Sequence, residues 1–409
     1  MMSAGKSKSS DQIKSEPFQG SYPCFGGNGV RGYVDEYNQD GIFSIVGRQG
    51  ALCGNINIAI GKFYATEHAV VTTLFAGIDF KWSNYILEAL RLNNYATGAA
   101  QPGLSVANIL NVFVPVPPTQ EQDRIGNNVD ESLKFIEALE QEKIDLQKII
   151  IAAKTKILDL AIRGKLVPQD PNDEPASVLL EHIRAEKEEL IKQGKIKRDK
   201  KESVIFKGDD NSYYERVGDI ISNIDDEIPF ELPQNWEWSR LQTICYPITD
   251  GTHKTPTYSD SGYIFLSAKN ITTGKINWND IMYIPKSLHD ELYSRVSPKM
   301  NDILLAKNGT TGVAAIVDRE CEFDIYVTLA LLRVVNNNIS SQYLLKIIAS
   351  DTIQDYFKSS LKGIGVPNLH LEHIRTTLIP IPPINEQNKI AERIYQYYSL
   401  LDSIVQNIE

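Results

Sequence analysis

In this chain of 409 residues, the side chains best suited to chemistry lie on glycine-punctuated loops, and their types suit hydrogen bonding more than bond making. Arg48-Gln49-Gly50 and Lys307-Asn308-Gly309 stand at corresponding places in two similar segments. Asn28 and Arg31 join the first set; His253, Lys254, Lys269, Asn270, Thr310 and Thr311 join the second. Reading base edges in the major groove of DNA takes Arg, Lys, Asn or Gln at fixed positions. Loops can present them while a β scaffold holds their register. Taken singly, each is equally a turn residue that satisfies its own backbone. Matched in both segments, they favour a surface for nucleic acid.

The sequence has no Asn/Asp-Pro-Pro-aromatic motif for amino methylation and no Pro-Asp…Glu-x-Lys nuclease constellation. Phe25-Gly-Gly-Asn-Gly29 reads as a turn, since no strand and helix flank it as a phosphate cradle requires. His370 and His373 sit at i and i+3 without a third ligand nearby. Cys24, Cys53, Cys245 and Cys321 lack metal-ligand spacing and read as buried thiols of a reducing compartment. The basic run Lys195–Lys201 reads as a solvated helix end, with phosphate contact the lesser reading. Neither catalytic residue, metal nor cofactor is assigned.

Such loops need a scaffold, and the chain carries its scaffold twice. Val114-Pro-Val-Pro-Pro-Thr-Gln-Glu-Gln-Asp-Arg-Ile125 returns as Ile379-Pro-Ile-Pro-Pro-Ile-Asn-Glu-Gln-Asn-Lys-Ile390. Proline fixes φ and donates no backbone hydrogen bond, so each Pro-Pro ends a strand and opens a helix. The repeat implies two similar domains, each leaving through its own helix. Short β runs split by glycine turns fill residues 21–118 and again 232–383, with Trp236 and Trp238 expected in a core. The first domain has no counterpart of the Glu231-Leu-Pro-x-x-Trp-x-Trp238 opening strand.

The expected fold class is α+β: two mixed α/β domains joined by long helices that form an antiparallel coiled coil. Residues 1–20 are expected to be a disordered tail, 119–231 a helical spacer and linker, and 384–409 a distal spacer helix. On the first helix Ile125, Val129, Ile136, Leu139, Leu146, Ile150, Ile157 and Leu160 keep 4,3 spacing; on the last, Ile390, Ile394, Leu401 and Ile404 do. A second helix is expected from Ala176 to about Lys201, followed by a polar linker over 202–230.

A net charge of −10 is unusual for a nucleic-acid binder. Its distribution softens the objection: residues 119–231 hold 26 acidic and 18 basic side chains, whereas 232–383 hold 14 of each. No apolar run reaches the roughly 18 residues of a membrane span, and the N-terminus has no secretory pattern. A cytoplasmic location without membrane association is expected.

Together, the Pro-Pro-x-x-Glu-Gln helix openers, Ala161-Ile-Arg-Gly-Lys-Leu-Val-Pro168, the Trp236/Trp238 opener and Asp250-Gly-Thr-His-Lys-Thr-Pro256 resemble the specificity subunit of Type I restriction–modification systems. Tyr22–Tyr33 and Ile45–Asn55 are similar to its target-recognition domains. The resemblance implies a non-catalytic subunit whose two domains each read half of a split double-stranded DNA target. It also implies helices that set the spacing and bind two modification (methyltransferase) subunits, with restriction subunits joining through the complex. Adenine methylation and restriction would then be performed by those partners. The missing first opener and the short last helix depart from the family pattern and suggest truncation at either end. The rival reading is a scaffold that binds modification subunits without effective DNA reading.

Overall fold

In the computed structural model the chain forms two compact units, Met1–Glu142 and Lys143–Glu409. The structure describes every residue except Ala51, 99–101, 199–201, 336–337, 362–366 and Glu409, so the end of the basic run 195–201 lies outside it.

The first unit is built on one six-stranded sheet. Its strands are β1 (Met2–Ala4), β2 (Tyr22–Gly26), β3 (Gly29–Val34), β4 (Gln39–Gly47), β5 (Ile56–Ala65) and β6 (Ala69–Thr72), in the order β1-β6-β4-β5-β2-β3. Helices α1 (Phe80–Ala89) and α2 (Val106–Leu110) follow, and then α3 (Thr119–Ile162). Phe25, Ile45, Phe63 and Val71 are buried in one core cluster of this sheet. Residues 1–20 depart from the expected disordered tail, because Met2–Ala4 pair antiparallel with Val70–Thr72 at the sheet edge. The polar composition hid this strand. It ends at Gly5, where a Cβ would lie 2.1 Å from the Ala65 carbonyl, so only glycine admits the close crossing.

The second unit takes in the end of α3 and continues with α4 (Ala176–Lys192) and the meander β7 (Ser203–Lys207), β8 (Tyr213–Val217) and β9 (Ile220–Asn223). The helix stops about nine residues short of expectation, at Gly194 with φ +68°. The expected linker is the meander itself: Val204–Phe206 and Tyr213–Tyr214 supply strand-forming residues between turns at Gly208 and Gly218. Tyr213 and Ile224 bury against Trp238, and Arg240 holds Glu215 (2.7 Å) and Glu227 (2.9 Å).

The repeated domain then runs β10 (Glu237–Arg240), α5 (Leu241–Ile244), β11 (Cys245–Asp250), β12 (Tyr263–Leu266), β13 (Met282–Ile284), α6 (Lys286–Arg295), β14 (Ile303–Ala306), β15 (Ala314–Ile316), β16 (Phe323–Ile325) and β17 (Leu329–Val334). It closes with α7 (Ser341–Ile348), α8 (Asp351–Ser359), α9 (Leu371–Thr376), β18 (Leu378–Ile381) and α10 (Ile384–Ile408). Its sheets are ordered β11-β17-β14-β15, β13-β12-β16 and β10-β18. Trp236 and Trp238 are both core residues.

The two domains match at the level of single hydrogen bonds. Arg48 N donates to His68 O (3.1 Å) as Lys307 N donates to Thr328 O (2.8 Å). Leu104 N donates to Arg48 O (2.7 Å) as Leu369 N donates to Lys307 O (2.9 Å). Each domain is also tied to its exit helix by the glutamine of the repeated Glu-Gln. Gln122 Oε1 accepts from Asp79 N (2.8 Å), and its Nε2 donates to Pro117 O (2.8 Å) and Gly77 O (3.2 Å). Gln387 Oε1 accepts from Ser340 N (2.9 Å), and its Nε2 donates to Pro382 O (2.9 Å). Asp79 and Ser340 are the N-caps of α1 and α7, so the same tie is made twice.

Helices α3 and α10 pack antiparallel within the second unit. Gly164, just past α3, packs against Trp236, which reaches Glu386 in the first turn of α10. Ten residues back along α3, Lys154 pairs with Asp402, and its carbonyl accepts from Tyr398 Oη (3.1 Å). Ile150, Leu158, Ala161 and Ile162 are buried, with Ile157 and Leu160 half-buried beside them. On α10 the inward stripe passes through buried Ile390 and Ile394 and half-buried Tyr398, Leu401 and Val405. Ile404, expected in the seam, is 37% exposed because the stripe turns by 4,4,3 steps there. Along the earlier part of α3, Val129 is half-buried, whereas Ile125, Ile136 and Leu139 are exposed.

Glu386 is buried and accepts from Trp236 Nε1 (3.0 Å); burial, aided by Asp173, pushes its carboxyl up to about 7. An unfolded glutamate titrates near about 4.3, so the fold favours the neutral form. The stability this contributes is present below pH ~4.3 and is lost as pH rises through 7. Relative to Glu386→Gln, the parent should lose about 3 kcal/mol between pH 4 and 8, read from urea unfolding midpoints. A pH-independent difference between the two would refute this burial.

Candidate nucleic-acid interface

Strand direction gathers the candidate residues at one end of each domain. β11 and β14 both run antiparallel to β17, and β12 runs parallel to β16, so their exits share a side. Thr252 N donates to Ile325 O (3.1 Å) and Tyr326 N to Leu266 O (2.9 Å), which draws the loops after β11, β12 and β16 together. The Lys307–Thr328 bond adds the loop after β14. In the first domain Lys6 N donates to Ala65 O (3.0 Å) and Thr66 N to Phe25 O (3.0 Å), making the same gathering. Gly251 repeats the crossing of Gly5: its Cβ would lie 1.9 Å from Ile325 O.

On the first domain, Arg31 and Gln49 line a shallow concavity of about 380 Å³ with Gly26, Gly27, Gly50 and His68. Both side chains are exposed; Arg31 Nη2 donates to Ser10 Oγ (2.8 Å). Asn28 is exposed beside it and accepts from Asn55 Nδ2 (2.8 Å). Arg48 is half-buried and leans on the Glu67 carbonyl (3.4 Å). His68 was not among the sequence candidates; only its alignment with Thr328, which follows from the repeat, marks it.

On the second domain, His253, Lys254, Lys269 and Thr310 are exposed, and Asn308 is half-buried. Thr311 turns inward to the Lys307 carbonyl (3.2 Å). Two candidates are corrected. Lys307 is 4% exposed, with Nζ donating to Asp250 Oδ2 (2.5 Å). Asn270 is buried, accepting from Ser267 N (2.9 Å) and donating to Asp280 O (2.7 Å) as part of a cap. Both hold the loops in shape from beneath. Lysine next to Asn-Gly reads as surface in sequence, and its acidic partner 57 residues away gives no local signal.

No group of three or more His, Cys, Asp or Glu among the described residues is placed to hold a metal ion. His370 and His373 stand with ring centroids 6.5 Å apart. His289 and Asp324 form a buried pair (2.7 Å) under the stacked Tyr263 ring, with Glu322 3.6 Å from the other ring nitrogen. No helix among the described residues is long and apolar enough to cross a membrane.

A buried lysine–aspartate pair costs most when one member is removed, because the other charge stays buried. Lys307→Met should therefore destabilise the second domain by about 3 kcal/mol, and Asp250→Asn comparably. The double variant should lose much less than the sum, measured as a double-mutant cycle in urea. Additive losses would mean that the pair is not coupled.

The family model for the Type I restriction modification DNA specificity domain matches residues 3–148 and 233–409. The EcoAI specificity subunit of Escherichia coli is 28% identical over 423 residues, covering 91% of this chain and 65% of that subunit. The Escherichia coli EcoprrI specificity subunit is 50% identical over 109 residues, 27% of each chain. This chain thus spans less than two thirds of the length of these relatives. Among solved structures, the HsdS subunit from Thermoanaerobacter tengcongensis matches with TM-score 0.52 and 13% identity, over 91% of this chain and 77% of that one. A chain from a structure on complex assembly and conformational transition of the type I R-M system matches with TM-score 0.55 and 12% identity, over 99% and 90%. These likenesses establish a shared fold.

Proposed function

The chain belongs to the family of Type I restriction modification DNA specificity domains, and from that membership we propose that it is a non-catalytic subunit that reads a bipartite double-stranded DNA target. The observation that carries the reading is the loop end shared by both domains. There, Gln49 and His68 on one domain, with Arg31 of β3 beside them, and His253, Lys254, Lys269 and Asn308 on the other, stand at the gathered loop ends. Exposed Lys254 and Lys269 suit phosphates; Gln49 and Asn308 suit base edges. On this reading two modification subunits bind the helical spacer, restriction subunits join through them, and adenine methylation and cleavage belong to those partners in the cytoplasm. The matched polar loop ends support DNA reading over a scaffold role, for which they would have no use.

Binding to a defined duplex should weaken with salt, each phosphate contact contributing about 0.9 to the log–log slope. Lys254→Ala with Lys269→Ala should weaken binding to all sequences and reduce that slope by roughly two. Gln49→Ala should relax one half-site by about 1–3 kcal/mol, and Asn308→Ala the other. Competition binding on half-site variants measures this. Specificity unchanged in both variants would place the readout elsewhere.

A further inference from the structure

Residues 6–14 stand where the second domain carries two of its candidate readers. Lys6 N on Ala65 O repeats Thr252 N on Ile325 O, so Ser7 takes the place of His253 and Lys8 that of Lys254. The segment is an arch clamped at both ends. At one end Gly5 N and Lys6 N donate to Ala69 O and Ala65 O (both 3.0 Å). At the other, Lys14 N donates to Tyr33 O (3.0 Å) and Tyr33 N to Lys14 O (2.8 Å). Between them Ile13 packs against Cys24, Val34 and Tyr64, and Lys8 Nζ donates to Glu36 (2.6 Å). Lys6, Ser7, Ser9 and Ser10 are exposed.

Arg31 reaches this arch from a break in the strand pairing. Cys24 pairs with Gly32 and Phe25 with Val30, which leaves Arg31 as the extra residue of a bulge. A bulge re-aims the side chain it carries. Here the side chain lines the concavity shared with Gln49 and His68, and its Nη2 donates to Ser10 Oγ (2.8 Å). The guanidinium has five N–H donors, so four remain after that bond. The β12–β13 pairing of the second domain is regular, so this device is the first domain's own.

We propose that Arg31 reads a guanine in the half-site of the first domain, with Ser10 as the residue that positions it and Lys6 on a neighbouring phosphate. The inference rests on the DNA-reading function proposed above. Guanine offers O6 and N7 side by side in the major groove, and arginine meets both with two N–H groups. Such a contact needs a fixed guanidinium plane, which the bulge and Ser10 supply together. A phosphate is served by a flexible point charge, and exposed Lys6 is of that kind.

The test is selection of bound duplexes from a random library by the full chain with the proposed modification subunits, compared with its variants. The parent should select a guanine at one position of one sequence block. Arg31→Ala should lower that preference roughly tenfold and leave the other block intact. Ser10→Ala, which keeps both clamps of the arch, should relax the same position and no other, and Ser10→Thr should restore it. In an Arg31→Ala background Ser10→Ala should add nothing. Lys6→Ala should weaken every duplex alike and lower the salt slope by about one. Two blocks that both survive Arg31→Ala unchanged would overturn this inference and leave the DNA-reading function standing. Uniform weakening by Arg31→Ala would make it a phosphate contact and overturn the guanine. A parent that selects no block would overturn the function itself, and this inference with it.

Discussion

A buried glutamine amide after each Pro-Pro fixes a domain to the helix that leaves it, and the rest of the structure depends on that joint. Proline cannot donate, so the chain arrives at α3 and α10 with carbonyls that need partners. Gln122 and Gln387 meet the Pro117 and Pro382 carbonyls, and each spends its other side on an N-cap amide, that of α1 or α7. One side chain thereby satisfies backbone on both elements. A buried amide left unpaired there would cost about 1–3 kcal/mol, which makes the joint strict about its residue type. Around it the first domain adds Lys81 and Tyr85, both held by Asp130 on α3. Tyr85 is pushed up to about 12 by that hydrogen bond.

The joint is common, but its surroundings differ. In the second unit the Glu386–Trp236 contact and the packing of α4, α10 and the end of α3 merge into one large core. The first domain relies on several smaller clusters. The loop ends also rest on different supports: a buried Lys307–Asp250 pair in one, and Arg48 on a main-chain carbonyl in the other. On the proposed function, this is a common frame that leaves each loop set free to carry its own polar pattern.

The repeat and the starts of α3, α4 and α10 were legible in the sequence because proline and glycine act locally, with fixed consequences for φ and hydrogen bonding. The loop candidates were partly legible. Arg31, Gln49, His253, Lys254, Lys269 and Thr310 are exposed where expected, but Lys307 and Asn270 are internal, because their partners come from other strands. The meander over 203–223 was hidden by its acidic turns, and β1 by its polar neighbours. Heptad counting agrees with burial at Ile150, Ile390 and Ile394, but Ile125, Ile136 and Leu139 are exposed, as is Ile404, where the helix surface turns away from α3. The joint glutamines lay inside the repeated motif, and only a buried position reveals why they recur.

The central claim is that two equivalent loop ends read one DNA molecule at two places. Selection of bound duplexes from a random library by this chain with the proposed modification subunits tests it most directly. The account predicts two short sequence blocks at a constant separation. A single block, or two blocks at variable separation, would contradict it.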